Sequence, residues 1–75
     1  MPSRIKKLLE TQQAVKIVFD TSPIAHIFTD GTQEELFSIN VDEKEMVQML
    51  NKEFKVYFSP LQSNHCRHVF NVRVK

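Results

Sequence analysis

The chain has 75 residues, enough for one hydrophobic core and too few for two. Its 41% hydrophobic and 25% charged content excludes a disordered tail, and one glycine with three prolines excludes a low-complexity linker. The single cysteine excludes an intrachain disulfide framework, and a net charge of +1 falls well short of the basic footprint of a dedicated nucleic-acid binder.

The first segment, PSRIKKLLETQQ, predicts a short helix with Ser3 as its N-cap and Ile5, Leu8 and Leu9 on one face. AVKIVFD (14–20) alternates Val15, Ile17 and Phe19 against Lys16, Val18 and Asp20, the period of a strand. Thr21-Ser22-Pro23 reads as a turn, and IAHIFTD (24–30) as a second strand. Asp30-Gly31 is the strongest turn dipeptide and uses the only glycine. LFSINV (36–41) then sends Phe37, Ile39 and Val41 inward as a third strand.

Asp42-Glu43-Lys44-Glu45 reads as a helix start, with Asp42 capping and the acids suited to the N-terminal end of the helix. Met46, Val47, Leu50 and Phe54 supply the apolar stripe, Met49 lies on its shoulder, and the helix is expected to end near Glu53. KVYFS (55–59) is a fourth strand that Pro60 is expected to stop, with Gln62-Ser63-Asn64 as the turn. NHCRHVFNVRVK closes the chain as a fifth strand. All six phenylalanines read as core.

These elements predict a single α+β domain over residues 1–75, in the order α-β-β-β-α-β-β. It is a two-layer arrangement, a mainly antiparallel sheet of about five strands with both helices packed on one face. Its helix–strand–strand–strand–helix opening is similar in element order to a double-stranded RNA-binding domain. The mostly acidic DEKE stands where such domains begin a basic helix, so the similarity stops at element order.

Charge is unevenly spread. Residues 1–16 carry Arg4, Lys6, Lys7 and Lys16 against Glu10, a balance of +3; residues 17–54 carry eight acids against Lys44 and Lys52, −6. Residues 55–75 carry Lys55, Arg67, Arg73 and Lys75 with no acid, +4. Alternation in the last strand puts Cys66, His68, Phe70, Val72 and Val74 on a core-like face, with Cys66 and His68 at its end. The other face receives His65, Arg67, Val69, Asn71, Arg73 and Lys75.

A metal reading of the HCRH stretch needs converging ligands, yet His65 and His68 point to opposite faces and a site would have to recruit His26. Cysteine catalysis through Cys66 would need an oxyanion-hole loop and a pocket that this chain does not advertise. No enzyme activity, metal or cofactor is therefore expected.

The positive row is the candidate site. His65, Arg67, Asn71, Arg73 and Lys75 recur at a spacing of about 6.6–6.8 Å, with Tyr57 as a stacking surface on the next strand and Lys6 and Lys7 as extensions from the first helix. The bland reading is that an edge strand carries charge to avoid pairing with strangers, or that acids such as Asp20 neutralise the row.

The expectation is a small non-enzymatic regulatory module, inhibitor- or adaptor-like, docking on a protein partner with the basic strand for orientation. RNA binding through the same face is the alternative, and a homodimer with a structural role the second alternative. No apolar run approaches the roughly 20 residues that span a bilayer. The charged opening MPSRIKKLLETQQ lacks the apolar stretch of a secretory signal, so a cytoplasmic location is expected.

Overall fold

The computed structural model describes residues 3–75, with side chains from Arg4 onward, so the expected capping by the Ser3 side chain lies outside what is described. Helix α1 spans Ser3–Gln12 and buries Ile5 and Leu9. It ends at Gln13, whose positive φ of 64° turns the chain back while its N–H donates to the Leu9 carbonyl at 3.1 Å. Strand β1 (Ala14–Phe19) therefore runs back against the helix it follows.

Strand β2 covers Ala25–Thr29. The turn after it places Gly31 at φ 81° and closes with Thr32 N–H on the Thr29 carbonyl at 3.2 Å. Strand β3 is Glu35–Ile39. Helix α2 (Glu43–Glu53) starts as expected, the Asp42 carboxylate accepting the Glu45 N–H at 2.8 Å. Strands β4 (Val56–Ser63) and β5 (His68–Val74) complete the order α-β-β-β-α-β-β.

The five strands form one antiparallel sheet in the order β3-β2-β1-β5-β4. Ile5 and Leu9 of α1 and Met46 and Leu50 of α2 share one core with Val15, Ile17, Ala25, Ile27 and Val72, which puts both helices on the same face. Among the described residues no helix lies over the opposite face of the sheet.

The last strand, whose place in the sheet the sequence left open, is internal, held between β1 (Val15 opposite Val72) and β4 (Phe58 opposite Val72), so it offers no edge to a further strand. Four expectations are corrected. Pro60 does not stop β4. Lys75 N–H donates to the Lys55 carbonyl at 2.9 Å, so in the antiparallel alternation Tyr57 and Ser59 bond toward β5 while Val56, Phe58 and Pro60 turn their backbone outward. The nitrogen without a proton faces away from the sheet on an edge strand, where it removes no ladder bond.

The pairing shifts between Pro60 and Gln62, leaving Leu61 as an exposed bulge residue, and β4 continues through Gln62 and Ser63. The turn is consequently Asn64–Arg67, pinned by the Asn64 side-chain oxygen, which accepts the N–H groups of Cys66 (2.8 Å) and Arg67 (2.9 Å). Cys66 is thus exposed and off the strand, not at the end of the core face. Phe28, finally, lies half-buried on the uncovered face. Its neighbour opposite on β1 is Lys16, whose ammonium sits 4.6 Å from the ring centroid.

Candidate functional site on the uncovered sheet face

Alternation and register place three rows on the uncovered face. The first crosses Ser38, His26, Val18, Val69 and Gln62; the second Glu35, Phe28, Lys16, Asn71 and Ser59; the third Ala14, Arg73 and Tyr57. Val18 and Val69 are buried although no helix covers them, because longer polar side chains surround them.

The expected basic row is divided by this arrangement. Arg73 and Tyr57 are direct cross-strand partners, and the Lys55–Lys75 hydrogen bond puts Lys55 and Lys75 beside them. Two cations approach the Tyr57 ring, the Arg73 guanidinium carbon 5.9 Å and the Lys75 Nζ 4.8 Å from its centroid. Tyr57 remains 51% exposed, so the ring has room for a further contact. No carboxylate lies within ion-pair distance of Arg73 or Lys75 among the described residues.

Asn71, in the middle of the row, is engaged. Its amide donates to Asp30 at 2.7 Å, so Asp30 brings negative charge to the middle of the row. Lys16 is likewise held, its ammonium donating to the Thr32 carbonyl at 2.8 Å. His65 and Arg67 lie in the β4–β5 turn at the other end of the sheet, lining a cleft of about 350 Å³ with Asp20, Asp42 and Glu43. Lys6 and Lys7 are exposed on α1, in the helix layer, and Lys7 lines a groove with Leu36 of β3, the sheet edge farthest from Tyr57.

The histidines have carboxylate partners. His68 Nδ1 is 2.8 Å from Glu43, which ties the start of β5 to the first turn of α2. His26 lies between two acids, Nε2 3.3 Å from Asp20 and Nδ1 bonded to Glu35. The Ser22 N–H, at 2.9 Å, is the main cause holding the Asp20 carboxyl below its ordinary value. The His26 ring adds to it, and a desolvation in the other direction is outweighed. Among the described residues, no three His, Cys, Asp or Glu side chains converge as a metal site.

Sequence reasoning missed Lys55. Its position two residues before Tyr57 on the same strand face was the available signal. The pairs His26–Asp20, His26–Glu35 and His68–Glu43 had no local signal, since each joins residues from different elements.

No protein-family model matches the chain, and no curated protein or solved structure matches it significantly.

Proposed function

We propose that the protein is a non-catalytic binding module that holds an acidic segment of a partner protein on the corner formed by Lys55, Tyr57, Arg73 and Lys75. The observation that carries this reading is the half-exposed Tyr57 ring approached by Arg73 and Lys75, both without a carboxylate partner among the described residues. Tyrosine and arginine are the side chains most often found at the energetic centre of protein interfaces. The lysines supply orientation and a faster encounter with an acidic surface.

The contact is made by side chains. Val56 is only 6% exposed, Pro60 has no donor and Leu61 bulges, so β4 presents few free backbone groups to an added strand. A nucleic-acid strand is the less favoured ligand. Asn71 is held by Asp30, Arg67 lies at the far end, and Asp20, Asp30 and Glu35 on the same side of the molecule oppose a run of phosphates.

The test is a fluorescence titration of the purified chain with an array of acidic peptides carrying one tyrosine, leucine or valine. A labelled single-stranded RNA is run in parallel at two salt concentrations. Peptide binding lost in Tyr57→Ala and in the double variant Arg73→Ala/Lys75→Ala supports the proposal. RNA binding that falls steeply with salt would replace it with the nucleic-acid reading, and binding of neither ligand would overturn it.

A further inference from the structure

A second surface on the opposite edge of the sheet carries both halves of its own complement. Among the described residues strand β3 is an edge with β2 as its one neighbour, and unlike β4 it contains no proline. Its pairing with β2 passes from Ile27–Phe37 to Phe28–Glu35, which leaves Leu36 without a partner and 43% exposed. Leu36, Phe37 and Leu8 form the apolar floor of a groove of about 300 Å³ between α1 and β3, with Arg4 and Lys7 on its rim.

Chain direction orders the charges. Helix α1 runs against β1, and β3 runs parallel to β1 because two antiparallel pairings separate them. The first turn of α1 therefore reaches the later part of β3, where the Arg4 guanidinium stacks 4.0 Å from the Phe37 ring centroid. Glu34 and Glu35 stand at the beginning of β3. Along the edge the groups run acidic, apolar, basic, and Arg4 and Lys7 have no carboxylate within ion-pair distance among the described residues.

We propose that two copies of the chain pair antiparallel along this α1–β3 edge. A two-fold axis presents a surface to itself reversed. Reversal sets Glu34 of one copy against Arg4 and Lys7 of the other, Glu35 staying with His26 on the uncovered face, and places the Leu36 side chains together at the centre. The smallest specific interfaces bury roughly 600 Å² per partner, a modest share of the 4902 Å² surface of this chain. The Tyr57 corner stays free at the outer edge of each copy, so the two surfaces act independently.

Sedimentation velocity of the full chain across the micromolar range tests the proposal. The expected result is a monomer–dimer equilibrium that Leu36→Glu abolishes while the circular dichroism spectrum is unchanged. Arg4→Glu alone or Glu34→Lys alone should weaken the dimer about tenfold, because each creates two like-charge contacts across the axis. Mixing the Arg4→Glu chain with the Glu34→Lys chain should restore dimerisation as a mixed species, which no merely structural effect of either change would do. A monomer at every concentration overturns the proposal. So does a dimer indifferent to the charge reversals, whether or not Leu36→Glu folds.

Discussion

The side-chain amide of Asn71 donates a 2.7 Å hydrogen bond to the carboxylate of Asp30, residues 41 apart in the chain and brought together by the antiparallel sheet. This contact interrupts the positive row of β5 and confines its free charge to the Tyr57 corner. Asn71 is half-buried and its acceptor exposed, so the bond belongs to the middle of the usual range. Asn71→Ala is expected to lower the stability by about 1 kcal/mol, and Asn71→Asp by more, through like-charge repulsion with Asp30. Urea unfolding of the two variants checks this, and a double-mutant cycle with Asp30→Ala isolates the pair.

Asp20 makes the acid limb of stability partly its own. Its folded-state carboxyl is held below 3.8, first by the Ser22 N–H and then by His26. A depressed acid contributes stability that is present above its unfolded value and lost as pH falls through the folded one. Asp20→Asn should therefore flatten the decline in melting temperature below pH 3.8, with the largest difference from the parent chain at neutral pH. A decline as steep as the parent's would remove Asp20 from this role.

Gly31 tests backbone strain without crowding. It sits at φ 81°, and a Cβ built there meets no atom within 4 Å. Gly31→Ala is expected to destabilise by about 1 kcal/mol through conformation alone, and Gly31→Asn by less, since asparagine tolerates the left-handed region. Equal midpoints for the two variants in chemical denaturation would contradict this.

Two leucines should behave in opposite ways. Leu50 is fully buried between α2 and the sheet, whereas Leu61 is 60% exposed in the β4 bulge. Leu50→Ala is expected to cost about 2–5 kcal/mol, a large part of the stability of a domain this small. Leu61→Ala should stay within about 0.5 kcal/mol of the parent chain. Thermal unfolding of both variants distinguishes them.

Cys66 should react fully with a maleimide under native conditions, as an exposed thiol in the Asn64–Arg67 turn does and a core thiol does not. Mass spectrometry before and after addition of denaturant measures it. Labelling that requires denaturant would return Cys66 to the core.

Local patterning determined much of this protein. Period-two alternation assigned Val15, Ile17, Phe19, Phe37, Ile39 and Val72 to one face, and the Asp42 cap and the Met46–Leu50 stripe located α2, because facing and capping depend on residues only a few positions apart. The same alternation put Tyr57 on the side of Arg73. It failed at Pro60, Cys66 and Phe28, whose roles follow from which strand is an edge, where the turn falls and whether a lysine covers a ring.

Strand order was decided only by the tertiary structure. Inserting β5 beside β1 pairs Ala14 with Arg73, a contact across nearly the whole chain that no window of sequence contains. That insertion buries Val72 on one face and lets Asp30 reach Asn71 on the other. Charge read along the chain therefore becomes two separate surfaces, because side-chain direction is a local property whereas the neighbour that neutralises a charge is chosen by the packing of the whole sheet.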